Sequence, residues 1–192
     1  MKTAMKNQTA AKSQTNLKTK WVYDPAHTEI SFKVKHLMIV NVKGLFKEFD
    51  MSVDTDGIDF TNAKISFQMK TASIDTGDVN RDAHLKSPDF FDVENFPEAT
   101  FTGTSLKSTD DGNFELTGDL TLRGVTKTVK LDAEFGGVQN DPWGNTKAGF
   151  TLTGKINRKE FGLLWNAALE SGGVLVGEEV KIVCEVELAK QS

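Results

Sequence analysis

The chain has 192 residues, enough for one domain with a substantial hydrophobic core. Its formal net charge is −4, but residues 1–20 carry five lysines and no acid, which leaves 18 basic and 27 acidic residues in the remainder. A domain with this acidic balance argues against nucleic acid as the main partner.

Residues 1–19 predict a disordered basic tail, followed by a single domain over residues 20–192. No apolar run of signal-peptide length precedes Trp21, and no later run is long enough for a membrane helix, so we expect a cytoplasmic protein without a membrane span. The single Cys184 cannot form an internal disulfide, which fits a reducing compartment.

From Ile30 onward, apolar and polar residues alternate with a period of two, which is typical of half-buried β-strands. Turn-forming clusters such as Asp54–Gly57 separate the alternating segments. One apolar and one charged face on eight antiparallel strands predict an all-β closed barrel, whose interior is either filled by side chains or holds one ligand. The predicted strands cover residues 30–36, 45–53, 65–69, 99–103, 114–122, 129–135, 150–156 and 180–188, with a short leading strand at 20–23.

Residues 78–101, between the third and fourth strands, interrupt this pattern. Val79, Ala83 and Leu85 leave room for about two helical turns, which Pro88 would end. A connection this long is either functional or disordered, and disordered segments are poor in aromatics. We therefore interpret the segment as an ordered lid with a short helical insertion. Its aromatic residues are Phe90, Phe91, Phe96 and Phe101.

The lid reads N-R-D-x-H-L-x-S-x-D-F-F-D-V-x-x-F-P-x-A-x-F over residues 80–101. Four further blocks follow in one register, at residues 21–36, 120–127, 156–163 and 172–180. Together the five blocks resemble the YceI-like, polyisoprenoid-binding family over residues 20–189. The resemblance implies a lipocalin-like barrel that holds a long-chain isoprenoid lipid.

Alternation alone favours an ordinary packed core, and only the resemblance implies a ligand tunnel. The chain has thirteen Phe and one Tyr, so the apolar face offers bulk without hydroxyl groups. The residues predicted to line the tunnel are Phe32, Val34, Phe49, Met51, Ile65, Phe67, Met69, Phe101, Leu116, Leu120, Leu131, Phe135, Phe150, Leu152, Trp165 and Ile182.

If the strands are ordered sequentially, the odd-numbered strands all end at the same mouth of the barrel. The lid follows the third strand and a second long loop follows the seventh, so both should lie at that mouth. Arginine is rare in this chain, three residues against twenty lysines, and its planar fork suits carboxylate or phosphate. The residues predicted to form a polar mouth are His36, Asn80, Arg81, His84 and Arg158.

The sequence carries weak signals for catalysis. Its three histidines lack metal-ligand spacing and no nucleophile elbow is present, so we expect neither a metal nor a cofactor. We predict a non-enzymatic carrier of an isoprenoid lipid. The alternative is a small enzyme acting on an isoprenoid or quinone, with His36 or His84 as acid/base beside Arg81. Self-association as a homodimer stays open at this point.

Overall fold

The computed structural model describes residues 18–109, 112–170 and 172–191, apart from the side chain of Asn62. The predicted disordered tail lies outside the described residues except for Lys18 and Thr19, and Thr19 already belongs to the first strand. The leading strand thus begins one residue before the predicted start of the domain at residue 20.

Within this part of the chain the secondary structure is mostly antiparallel β-sheet. Helix α1 (Val79–Lys86) follows the sixth strand, and single turns of 3-10 helix cover Thr71–Ser73 and Arg158–Phe161. The strands are β1 (Thr19–Tyr23), β2 (Glu29–His36), β3 (Val40–Phe46), β4 (Phe49–Asp56), β5 (Asp59–Lys70), β6 (Ile74–Asp75), β7 (Glu98–Ser108), β8 (Phe114–Leu122), β9 (Val125–Asn140), β10 (Thr146–Asn157) and β11 (Val176–Lys190).

The sheet closes on itself because β11 pairs with β10 along one edge and with both β1 and β2 along the other. Strands β1 and β2 lie end to end, β3 and β4 pair with them in the same way, and β6 continues β5. Counted by position around the ring, these segments form an eight-stranded antiparallel barrel in sequential order. The predicted fold class is confirmed.

One end of the barrel carries short turns and is closed by an aromatic plug. Trp21 is fully buried, and its Nε1 donates a hydrogen bond of 2.8 Å to Thr55 Oγ1, so the indole nitrogen is satisfied inside the core. Phe60 packs against Trp21 with ring centroids 5.1 Å apart, and also lies 5.0 Å from Phe150. The plug consists of Trp21, Phe60, Phe114, Phe135 and Phe150.

The opposite end carries the long connections. Here β5 and β6 lead into the lid and β10 leads into the second long loop, residues 158–175. The lid ends earlier than predicted, at residue 97, because Glu98 already belongs to β7. Helix α1 is capped by Asp78, whose side chain accepts a hydrogen bond from the Arg81 amide, and it ends before Pro88. Both long connections therefore lie at one mouth.

Candidate ligand-binding site

The barrel interior contains a cavity of about 230 Å³ between the plug and the lid. Most of the apolar positions predicted from the sequence line it. They are Phe32, Val34, Met51, Ile65, Phe67, Met69, Phe101, Leu116, Leu120, Leu131, Phe150, Leu152 and Ile182.

Three of the predicted lining residues do not line this cavity. Phe49 begins β4 and packs against Tyr23 and Phe67, with ring centroids 5.0 and 6.1 Å away. Phe135 belongs to the plug, 5.0 Å from Phe150. Trp165 lies on the 158–175 loop and packs against the lid, so it supports the roof without lining the cavity.

The cavity exists because several rings lie against the barrel wall. Phe32 covers Gly44 on the neighbouring strand, where an added Cβ would lie 2.3 Å from the Phe32 ring. Phe101 lies over Gly118 in the same way, 2.2 Å from the position of an added Cβ. Each glycine leaves the space that a ring occupies at the wall. The middle of the barrel is therefore left open.

The lid forms an apolar roof through Leu85, Phe90 and Phe91, all of which line the cavity. Phe91 packs edge-on against Phe46 of β3, with ring centroids 5.7 Å apart. The backbone oxygen of Phe90 accepts a hydrogen bond of 2.7 Å from Arg123 Nη1. The sequence pointed to an aromatic lid here but did not show which aromatics turn inward.

Arg158 is the buried charge beside the cavity. Its guanidinium donates to the carbonyl oxygens of Gly177 (2.8 Å), Leu163 (2.6 Å) and Val176 (3.3 Å), and it lies 6.0 Å from the centre of the Phe90 ring. Burial lowers the pKa of Arg158, while the negative charge of Glu178 opposes that shift. Because arginine keeps its proton at physiological pH, a positive charge remains under the roof.

The other predicted mouth residues do not line the cavity. Arg81 is exposed and holds Thr76 through Nε and Nη2, and Asn80 is exposed on α1. His84 Nε2 lies 2.9 Å from Asp89 Oδ2, and its ring contacts Phe90 and Trp165. His36 is half-buried at the end of β2. The structure gathers His84 and Arg158 around Phe90 and leaves Arg81 outside this group.

Cys184 lines the cavity near its middle and is buried. Burial raises the pKa of its thiol to about 11. A thiol in an apolar environment is a poor nucleophile because the thiolate is the reactive form. Cys184 therefore acts as part of the apolar lining.

On the outer wall, the side chains of Asp24, His27 and Glu187 are close enough together to suggest a metal site within the described residues. The Lys147 ammonium lies 2.6 Å from Asp24 and 3.1 Å from Glu187. A lysine in this position neutralises the carboxylates that a cation would need. The hydrogen bond from Lys147 is the largest cause of the lowered pKa of Asp24, and the hydrogen bond from the Ala26 amide lowers this pKa further.

Among the described residues, the structure has no helix that is both long and apolar enough to span a bilayer. A family model for the YceI-like domain matches residues 21–188. The UPF0312 protein of Staphylococcus epidermidis is 40% identical over 172 residues, which cover 89% of this chain and 98% of that protein.

Solved structures share the barrel. The YceI protein of Campylobacter jejuni is 34% identical with a TM-score of 0.71, covering 98% of this chain and 100% of that one. A polyisoprenoid binding domain from Saccharophagus degradans has a TM-score of 0.60 at 14% identity, covering 89% of this chain and 98% of that one. At this identity, the second comparison supports the fold alone.

Proposed function

We propose, since the chain belongs to the YceI-like domain family, that its cavity binds a long-chain isoprenoid lipid of the polyprenyl or isoprenoid-quinone type. In this proposal the protein carries or sequesters the lipid without changing it. The observation that supports the proposal is the cavity itself, which is walled by strand residues of the barrel and roofed by Leu85, Phe90 and Phe91. The Saccharophagus domain of the same fold is described as polyisoprenoid-binding, which is the class of ligand that we propose here.

The energetics favour recognition of an apolar chain. Each CH₂ group removed from water contributes ~0.8 kcal/mol, so a long chain gains far more than one polar contact can supply. A single charge-assisted hydrogen bond contributes ~1.5–3 kcal/mol. Chain burial therefore sets the affinity, and a polar group sets the orientation.

The charged group that would orient a head group is Arg158. Its three hydrogen bonds to carbonyl oxygens use three of the five guanidinium N–H groups. The remaining donors can meet a hydroxyl, phosphate or quinone oxygen at the roof end. The cavity, at about 230 Å³, is smaller than the ~300–1,000 Å³ of most ligand pockets. We therefore expect the lid to shift outward when a long chain enters.

The enzyme alternative requires His36 or His84 to work beside Arg81 on a bound ligand. Arg81 holds Thr76, His84 pairs with Asp89, and His36 lies at the end of β2. None of the three lines the cavity. The geometry favours the carrier. The cytoplasmic location and the lack of a cofactor stay predictions from the sequence. Whether the chain forms a homodimer stays open.

Native mass spectrometry after incubation with an isoprenoid alcohol tests this proposal. Wild type should retain one lipid molecule of unchanged mass. In Gly44→Ala the new Cβ would force the Phe32 ring towards the cavity, so less lipid should be retained. Gly149→Ala is the matched control, because its added Cβ meets no atom within 4 Å.

Circular dichroism should first establish that both variants are folded. Equal retention by wild type and a folded Gly44→Ala protein would contradict binding in the central cavity. A change in the mass of the retained lipid would favour the enzyme alternative.

A further inference from the structure

The lid end of the barrel exposes an apolar hairpin tip. The turn between β2 and β3 presents Met38, Ile39 and Val40 to solvent, with Ile39 77% exposed. Leu37 and Met38 have φ values of 51° and 62°, in the left-handed region where glycine or asparagine is favoured. The chain therefore keeps large apolar side chains at a turn where local backbone preference is against them.

A row of lysines crosses the outer wall below this tip. In the strand register Lys43 lies opposite Lys33, Lys33 opposite Lys181, and Lys181 opposite Lys155, so four neighbouring strands each contribute one. Like charges placed directly opposite destabilise a sheet. An arrangement that is unfavourable for folding alone points to an anionic partner.

Ion pairs within the wall neutralise only the two ends of this row. Lys43 pairs with Glu29 at 2.8 Å and Lys155 with Glu179 at 3.2 Å. For the central pair, Lys33 and Lys181, the described residues provide no carboxylate within ion-pair distance. The centre of the row therefore offers two unneutralised positive charges a few residues below the hairpin tip.

We propose that the hairpin tip (residues 37–40) and the lysine row together dock the protein on the surface of an anionic phospholipid bilayer. The apolar tip would insert at the headgroup boundary while the lysines meet the headgroup charges, which is how interfacial proteins combine the two attractions. Leu37 also joins this hairpin to the 158–175 loop, since its amide donates to the Leu175 oxygen at 2.8 Å. Docking therefore places the lid mouth beside the membrane.

Other exposed apolar residues do not offer the same combination. At the plug end, Ile58 lies between Asp56 and Asp59, and Trp143 follows Asp141 closely. These carboxylates would be repelled by an anionic surface. The lid itself is also acidic, so the contact falls on the β2–β3 flank. This inference goes beyond the proposed function, because it concerns the outer wall and its test contains no isoprenoid.

Co-sedimentation of the full chain with phosphatidylcholine vesicles, with and without phosphatidylglycerol, tests the proposal. Wild type should bind the anionic vesicles at least ~10-fold more tightly than the neutral ones, because each lysine near such a surface contributes ~5-fold. Met38→Ser with Ile39→Ser should weaken this binding ~10-fold or more, as should Lys33→Glu with Lys181→Glu. Trp143→Ser and Lys107→Glu, at the plug end, should bind as wild type does.

The lysines of residues 1–20 are present in every variant, so they serve as an internal control. If the hairpin and lysine-row variants bound as well as wild type, binding would belong to those lysines and the docking surface would be wrong. Equal binding to neutral and anionic vesicles would also overturn it. So would a dimer in solution that the hairpin variant converts to a monomer, since the tip would then be an interface between two copies.

Discussion

The plug end and the lid end both cover the apolar interior, but different parts of the chain do so. At the plug end the cover consists of strand residues, with Trp21 on β1 and Phe60 on β5 held within the sheet. At the lid end the cover is an inserted segment whose helix buries none of its own residues fully. Opening the plug requires the sheet to unfold, whereas opening the lid breaks a few local contacts.

Those local contacts are specific and few. The lid is held down by the Arg123 bond to the Phe90 oxygen and by the Thr71 Oγ1 bond of 2.7 Å to the Phe96 oxygen. Phe91 also packs against Phe46, and Phe90 packs against Trp165. Segments with few buried contacts open at a lower free energy than the global fold. Stability is therefore concentrated at the plug end, and we expect the ligand to enter at the lid end.

The largest expected effect is a loss of stability at the plug. Trp21→Ala should lower the free energy of unfolding by about 3–5 kcal/mol, because it leaves a cavity in the core and removes the partner of Thr55. Urea denaturation followed by circular dichroism measures this change. Trp143→Ala, at an exposed position, should change stability by less than about 0.5 kcal/mol. An equal loss of unfolding free energy in both variants would contradict the claim that the plug concentrates the stability of the barrel.

The thiol of Cys184 reports on the cavity between the two ends. With a pKa raised to about 11, it should react with a thiol reagent at pH 8 about a hundredfold more slowly than an exposed cysteine. The folded protein favours the neutral thiol, so this group contributes to the free energy of unfolding below about pH 9. That contribution is lost as pH rises towards 11. Fast labelling of the folded protein at pH 8 would show that solvent fills the cavity.

A variant in the lid should change the rate of lipid release more than it changes the stability of the barrel. Phe90→Ala should release bound lipid at least tenfold faster, because Phe90 is buried in the roof and each ~1.4 kcal/mol lost from lid closure is a factor of ten. It should also speed the labelling of Cys184. Val79→Ala, at an exposed position on α1 within the lid, is the control. Hydrogen exchange should increase in residues 79–97 and stay unchanged in β8; a uniform increase would mean that the lid and the barrel open together.

The smallest expected effect concerns the ion pair between Lys147 and Asp24. Lys147→Gln should cost about 1 kcal/mol at neutral pH, because each side chain of the pair is only 19% exposed and solvent screens the pair in part. The pKa of Asp24 is lowered in the folded protein, so the pair stabilises it above about pH 4, and that contribution is lost as pH falls further. The free energy of unfolding, measured between neutral and acidic pH, should fall less steeply with decreasing pH in the variant than in wild type. An equally steep fall in both proteins would assign the acid sensitivity to other carboxylates.

Much of the barrel could be predicted from the sequence because alternation is a local signal. Phe60 shows where that signal fails. Pairing between β4 and β5 shifts register between Asp54 and Asp56, so Phe60 is buried although it is out of phase with Ile65 and Phe67. A bulge of this kind depends on the partner strand, and counting along one strand cannot locate it.

The polar mouth was harder to predict than the lining. Arg81 and Arg158 both follow strands and both suit an anionic group, but only Arg158 is buried beside the cavity. Its position is set by carbonyl oxygens of Leu163, Val176 and Gly177, which come from the 158–175 loop and from the start of β11 beyond it. Contacts of that range leave no pattern in the sequence around an arginine.

The central claim is that the cavity recognises an isoprenoid chain by burying it. Titrating the wild-type protein with isoprenoid alcohols of increasing length, followed by calorimetry, tests this claim most directly. We predict that affinity rises with each added isoprene unit until the cavity is full and then levels off, because each buried CH₂ contributes ~0.8 kcal/mol. Equal affinity for short and long alcohols would contradict the account, since recognition would then lie at the head group alone.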